Sequence, residues 1–89
     1  MMYPYITLGN DIEVSHSHVL EKNLQQEIEV HFERATQNGF DSARCVLPSY
    51  QWKFCEGFSE DEQKFFCEVL KHNAHLLFRY AEQGGFDCA

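Results

Sequence analysis

The chain has 89 residues, of which 44% are hydrophobic and 15% aromatic, and its formal net charge is −7. This length predicts a single domain. The apolar content excludes intrinsic disorder, and no run of residues reaches the ~18 apolar positions of a membrane-spanning helix. Because nucleic acids and anionic membranes are themselves negative, the charge disfavours direct binding to either and favours a basic protein as partner.

The N-terminus and the cysteines bear on where the protein is found. Residues 1–4 lack the basic patch and the apolar run of a secretory signal, so we expect a cytoplasmic protein. The cysteines are even in number, which in a secreted chain would allow two disulfides in three connectivities; they are Cys45, Cys55, Cys67 and Cys88. In the cytoplasm we expect reduced thiols instead. The Cys-x-x-Cys spacing of zinc and thioredoxin-type sites does not occur.

Alternation of apolar and polar residues predicts four β-strands in the first half of the chain, over about residues 3–8, 12–20, 24–37 and 40–47. The face of the second strand that we expect to meet the core carries Ile12, Val14, His16, His18 and Leu20. The corresponding face of the third strand carries Gln26, Ile28, Val30 and Phe32.

Turn residues set the expected pairing. Gly9-Asn10-Asp11 joins the first two strands and places Leu8 opposite Ile12. The second loop, Glu21-Lys22-Asn23, ends on a residue that tolerates the left-handed conformation, and it sets Val14 opposite Val30.

The third hairpin has a strong turn signal, Asn38-Gly39, because both central residues of such a turn need a positive φ. This turn places Phe32 opposite Cys45. Pro48 lacks an amide donor, so we expect the fourth strand to end there and residues 48–58 to be irregular.

The helix prediction rests on a capping box, in which Ser59 and Glu62 bond each other's backbone amides. The helix runs over about residues 59–83 and is expected to end at Gly84-Gly85, a left-handed C-cap. Its apolar residues form one wide stripe: Phe65, Phe66, Val69, Leu70, Leu76, Leu77, Tyr80 and Ala81. Because the stripe and the apolar sheet face must cover each other, we expect an α+β fold. It is a four-stranded antiparallel β-meander packed on one face by a single long C-terminal α-helix.

Two interpretations concern polar residues on the core face. His16 and His18 lie two residues apart on one strand face, as two metal ligands require, and His72 of the helix could supply a third. Alternatively, Asn73 at the centre of the helix stripe joins His16, His18 and Gln26 in a buried polar network, since an unpaired buried amide costs ~1–3 kcal/mol. Such a network would fix the helix on the sheet or line a small ligand pocket.

The outer sheet face is predicted to be acidic and to carry Glu13, Glu27, Glu29 and Glu33. In the expected register Glu13 lies opposite His31, so like charges are not directly opposed. The face is either simply solvated or a docking surface for a basic protein, whose binding would weaken with salt.

A second apolar flank of the helix is formed by Cys67, Ala74 and Phe78, which Trp52 could extend. We expect Phe78 to be exposed and to form a partner or dimer contact, unless residues 48–58 fold back and cover it.

The chain contains no nucleophile elbow, zinc-protease motif or phosphate loop, so we predict neither catalysis nor a cofactor. The favoured function is a small acidic protein-interaction or regulatory module, such as an inhibitor or accessory of a basic, nucleic-acid-binding protein, with a homodimer as a further expectation. The alternatives are a metal- or small-ligand-binding domain built on His16, His18 and Asn73, and a hydrolase that uses a Cys or a His.

Overall fold

A computed structural model describes residues 2–22 and 24–83. Its elements in chain order are β1 (Tyr3–Leu8), β2 (Ile12–His16), β3 (Leu20–Lys22), β4 (Gln25–Thr36), β5 (Gly39–Leu47), β6 (Gln51–Glu56) and α1 (Glu60–Gln83). The sheet has the order β1-β2-β4-β5-β6, and β3 pairs with β4; every pair is antiparallel. The predicted α+β fold, an antiparallel sheet packed with one C-terminal helix, is confirmed. The predicted count of four strands is wrong, since the sheet has six.

The core lies between α1 and one face of the sheet. The rings of Phe32 and Phe66 stack there with their centroids 4.2 Å apart, which joins β4 to α1. The buried hydrophobic residues are Ile12, Val14, Ile28, Val30, Phe32, Ala43, Cys45, Leu47, Phe66, Leu70, Leu77 and Ala81. The helix stripe is narrower than predicted: only four of its eight residues are buried, and Phe65 is 52% exposed.

The first hairpin has the predicted register, with Leu8 opposite Ile12. Its turn residues Asn10 and Asp11 have φ values of 65° and 59°. Asn and Asp adopt this left-handed conformation more readily than other side chains, so the local sequence accounts for the turn.

The second predicted strand breaks at Ser17. The Ser17 amide donates to the Glu29 carbonyl at 2.9 Å, while the Ser17 hydroxyl accepts from the Glu29 amide at 2.9 Å. A side-chain oxygen thus takes the position of the backbone carbonyl that a regular ladder would use. The backbone can therefore leave β4 after this residue, and β2 ends at His16.

Pairing resumes in β3 with the register changed by one residue. Leu20 lies opposite Glu27, which belongs to the outer face of β4. Val19 packs against the core instead, and His18 is exposed. The predicted inward orientation of His18 and Leu20 is therefore wrong, because a one-residue shift exchanges the two faces of a strand.

The pairing of β2 with β4 is shifted by two residues from the prediction, so that Val14 lies opposite Phe32 and not Val30. The loop itself also differs, since Leu24 has a φ of 65°. The predicted left-handed residue, Asn23, lies outside the described residues.

The pairing of β4 with β5 is also shifted by two residues. Phe32 lies opposite Ala43 and not Cys45. The turn comprises residues 37–38, and Gly39, with a φ of 143°, is the first residue of β5. A shift of two keeps every side chain on its predicted face.

Residues 51–56, predicted to be irregular, form β6 beside β5. As predicted, β5 ends immediately before Pro48. A register shift falls at Lys53, so Trp52 packs on the core while Phe54 lies opposite an outer-face residue. This irregularity explains why alternation along the segment is hard to read.

The capping box at the start of α1 is confirmed. The Ser59 amide donates to Glu62 Oε1 at 2.9 Å, and the Glu62 amide donates to Ser59 Oγ at 3.1 Å. Arg34 on β4 bonds both Glu62 (2.7 Å) and Asp41 (2.8 Å), and its guanidinium carbon lies 4.9 Å from the centre of the Phe58 ring. The Ser59 amide and, after it, Arg34 lower the pKa of Glu62. Arg34 therefore ties the helix start to the β4–β5 hairpin.

α1 continues to Gln83, which is the last described residue of the chain. The predicted C-cap, Gly84-Gly85, lies outside the described residues. Among residues 2–22 and 24–83, no helix has both the length and the apolar content needed to cross a membrane.

Candidate interaction surface

The sheet face opposite α1, which we call the outer face, has two regions that differ in charge. In one region the carboxylate of Glu29 is neutralised by ion pairs. Glu29 accepts hydrogen bonds from Arg44 at 3.3 Å and from Lys53, and its side chain is only 13% exposed. The Arg44 guanidinium also lies over the ring of Phe54, 5.8 Å from its centroid. Glu29, predicted to belong to a docking surface, is therefore engaged within the protein.

The other region remains acidic. Glu13 lies directly opposite Glu33, so the prediction that Glu13 faces His31 is wrong. Glu33 approaches His31 Nε2 at 3.4 Å, but no Lys or Arg in the described chain forms an ion pair with Asp11, Glu13 or Glu33. Like charges directly opposite each other destabilise a sheet, so this pair favours binding of a cation.

Two depressions share the carboxylates of Glu13 and Glu33. The first, which we name the acidic groove, has a volume of about 330 Å³ and is lined by Asp11, Glu13, Glu33, Ala35 and Phe40. The second, the edge pocket, has a volume of about 250 Å³ and lies beside β1, where Pro4, Ile6 and Thr7 form a wall around Glu13, Ser15, His31 and Glu33. The Phe40 ring is 65% exposed. Carboxylates beside exposed apolar groups suit a Lys or Arg side chain, which has an apolar stem and a charged end.

The arrangement around His31 does not form a nucleophilic triad. Ser15 lies opposite His31, but the two imidazole nitrogens have other partners. Arg44 Nε donates to His31 Nδ1 at 3.4 Å, so Nε2 carries the hydrogen and faces Glu33 at 3.4 Å. A base for Ser15 would need a free ring nitrogen. The geometry offers binding groups here rather than an activated nucleophile.

The predicted polar network is only partly brought together. Asn73 does lie at the helix–sheet interface, but its Oδ1 accepts from the Tyr5 hydroxyl at 2.7 Å and its Nδ2 donates to the Val69 carbonyl at 2.7 Å. A β-bulge between Pro4 and Ile6 makes room for Tyr5. Two of the predicted members, His18 and Gln26, are exposed. Burial raises the pKa of Tyr5, and the neighbouring Tyr80 raises it further.

His16 is fully buried. Its Nδ1 donates to the Ser17 carbonyl at 2.8 Å, and its other ring nitrogen is Nε2. This Nε2 has no hydrogen-bond partner among the described residues.

The predicted metal ligands are not brought together. His16 is buried, whereas His18 and His72 are exposed. Within the described part of the chain, no group of three or more His, Cys, Asp or Glu side chains is placed to hold a metal ion.

The predicted apolar flank of α1 is divided. Phe78 and Ala74 are half-buried and pack against the core, so the expected exposure of Phe78 is wrong. Cys67 and Trp52 line a depression of about 320 Å³ between β6 and α1, together with Glu60, Gln63 and Lys64. We name this depression the helix groove. The last member of the predicted surface, Glu27, is half-buried beside β3.

The thiols of the described residues are free. Burial raises the pKa of Cys45 to about 12, and burial also raises the pKa of Cys55. Neither thiol has the lowered pKa of a nucleophilic cysteine. Cys88 lies outside the described residues.

The sequence interpretation missed Phe40, Arg44, Lys53 and Tyr5. A signal existed for Phe40 and Arg44, since alternation from the β4–β5 turn places both on the outer face. Lys53 and Tyr5 reach their partners only through register shifts, which no residue pattern announces. Comparison of the chain with protein-family models, with curated proteins and with solved structures finds no match.

Proposed function

We propose that the protein is a non-enzymatic interaction module whose acidic groove binds a basic segment of a partner protein in the cytoplasm. The observation that carries the proposal is the directly opposed pair Glu13 and Glu33, which no Lys or Arg of the described chain neutralises. A nucleic-acid-binding protein, which presents Lys and Arg side chains, is the class of partner that fits this chemistry.

The distribution of cations supports this assignment. Arg34, Arg44 and Lys53 form ion pairs with carboxylates elsewhere on the sheet and helix. The carboxylates of the acidic groove therefore keep their negative potential, which steers a basic partner towards the groove. The exposed Phe40 ring adds an apolar contact beside them, and aromatic residues of this kind are enriched at interface centres.

The test compares two doubly neutralised variants in capture experiments from a lysate of the native host. Glu13→Gln/Glu33→Gln removes two charges from the acidic groove. The control, Glu68→Gln/Glu82→Gln, removes two charges from exposed helix positions. We expect the parent and the control to retain basic proteins at low salt and to release them as salt rises.

We expect the groove variant to lose this retention at all salt concentrations. Equal retention by the two variants would contradict the proposal, because net charge alone would then explain the binding.

A further inference from the structure

Phe40 presents an apolar side chain to solvent on the outer face of the sheet. Its ring is 65% exposed and adjoins the carboxylates of Asp11, Glu13 and Glu33. The surface complementary to an exposed ring with carboxylates around it is an apolar depression with cations at its border.

The helix groove has these properties. Its volume is about 320 Å³, and its aromatic wall is Trp52, which packs on Phe32 and Phe66 with centroids 5.9 and 6.4 Å away. Lys64 lines the groove and forms no ion pair within the described chain.

The helix surface on the C-terminal side of the groove is also cationic, whereas the first turn of α1, on its N-terminal side, carries Glu60, Asp61 and Glu62. Between residues 64 and 79, α1 carries the cations Lys64, Lys71 and Arg79 against one carboxylate, Glu68. All four are exposed. Glu60, at the N-terminal end of the groove, is the one negative side chain in its lining.

The ring and the groove of one molecule cannot meet, because Phe40 lies on the sheet face opposite to α1. We propose that Phe40 of one copy inserts into the helix groove of a second copy, with the carboxylates of the acidic groove facing Lys64 and Lys71. This inference rests on the proposed function in taking the acidic groove as a docking surface.

The contact is heterologous, because the ring and the groove of one copy lie on opposite faces and cannot both meet the same second copy. It therefore leaves one ring and one groove unused at the ends. Two copies of charge −7 repel each other at long range. At physiological ionic strength this repulsion is screened beyond ~8 Å, whereas side chains in contact still attract. Association is therefore expected at physiological salt, and its extent should rise with protein concentration.

The first experiment is sedimentation velocity of the parent chain over a concentration series at physiological salt. We expect the average mass to rise with concentration, and we expect Phe40→Ala to weaken the association about tenfold, as for a central interface aromatic. Phe65→Ala is the matched control, because this ring is 52% exposed and lines neither groove. A parent chain that stays monomeric, or equal effects of the two substitutions, would overturn the inference.

The second experiment mixes two variants that each retain one half of the contact. Phe40→Ala keeps the helix groove, and Lys64→Glu keeps the ring and places a repulsive charge beside the groove. The heterologous contact predicts a one-to-one complex in the mixture, larger than any species in either variant alone. A mixture with no complex would refute it.

The outcomes also separate this inference from the proposed function. An oligolysine peptide that binds the parent chain but not Glu13→Gln/Glu33→Gln supports the acidic groove as a docking surface. If the parent chain binds this peptide and stays monomeric, only the self-association is wrong.

Discussion

Replacing Gly57 by alanine tests whether the close contact between the β6–α1 connection and the β4–β5 hairpin exists as described. Gly57 has a φ of 86°, and a Cβ atom built on it would lie 2.0 Å from Asp41 Oδ1 and 2.5 Å from Asp41 Cγ. The alanine would therefore displace the Asp41 side chain, which accepts bonds from Arg34 Nη2 at 2.8 Å and Nε at 3.1 Å.

Substitutions at two other glycines separate the cost of backbone strain from the cost of the steric clash. Gly39 has a φ of 143° with nothing within 4 Å of a built Cβ, so Gly39→Ala introduces backbone strain alone, which costs about 1–3 kcal/mol. Gly9 has neither a positive φ nor a neighbour within 4 Å, so Gly9→Ala should be neutral or stabilise by about 0.4–1 kcal/mol. Gly57→Ala carries the strain together with the clash, and it should therefore cost more than Gly39→Ala.

Urea unfolding of the three variants measures these differences. With a slope of about 1–3 kcal/mol per molar urea, a loss of about 2 kcal/mol lowers the midpoint by roughly 1 M. The expected order of stability is Gly9→Ala, then Gly39→Ala, then Gly57→Ala. A Gly57→Ala protein no less stable than Gly39→Ala would show that the Asp41 contact does not constrain the fold, and the Arg34 linkage would lose its support.

Three further predictions concern single groups. Asn73→Leu should destabilise the protein by about 1–3 kcal/mol. When Asn73→Leu is introduced into a Tyr5→Phe protein, it should cost at least ~0.5 kcal/mol less, because the bond between the two side chains is already lost. Additive effects of the two substitutions in urea unfolding would contradict the 2.7 Å bond. Because the pKa of Glu62 is lowered in the folded state, its contribution is present above the unfolded value of ~4.3 and is lost as pH falls through the folded value. The stability difference between parent and Glu62→Gln should therefore shrink as pH falls below about 4.3, and a constant difference would be evidence against the Ser59 bond and the Arg34 ion pair that lower this pKa. Cys45 has a pKa of about 12 and no exposed surface, so it should be the last thiol of the described residues to react with iodoacetamide at pH 8. Mass spectrometry of partly alkylated protein measures the order of reaction, and earlier alkylation of Cys45 would contradict its burial.

The faces of the strands were more predictable from the sequence than their register. Alternation assigns Val14 and Phe32 to the core whether Val14 pairs with Phe32 or with Val30, since a shift of two residues leaves both faces unchanged. The register is fixed instead by turn conformation, and the turns at Leu24 and Gly39 differ from those expected. Local signals were sufficient where the side chain itself makes the bond, as in the Ser59–Glu62 capping box.

The candidate site depends on details that a residue pattern does not contain. The opposition of Glu13 and Glu33 follows from the two-residue shift, and the neutralisation of Glu29 requires Lys53, whose placement follows from a bulge in β6. At Ser17, the side-chain hydroxyl accepts the hydrogen bond that a backbone carbonyl would accept in a regular ladder. The next three residues, 18–20, then lie on the faces opposite to those predicted. Each of these depends on strand register or on a hydrogen bond between strands, neither of which the alternation of apolar and polar residues specifies.

The opposed pair Glu13 and Glu33 also provides a test in which folding and binding respond in opposite directions. A like-charge pair across two strands destabilises by roughly 0.2–1 kcal/mol, so Glu13→Gln should raise the free energy of unfolding of the isolated protein by that amount. The same substitution should weaken capture of a basic partner, because it removes one of the carboxylates that the partner neutralises. Such a trade-off is typical of residues kept for function rather than for stability. Glu68→Gln, on the exposed side of α1, should change neither quantity appreciably. If urea unfolding instead showed Glu13→Gln to be less stable than the parent, the Glu13 carboxylate would be stabilised within the fold itself, and the opposed pair would no longer support binding of a basic partner.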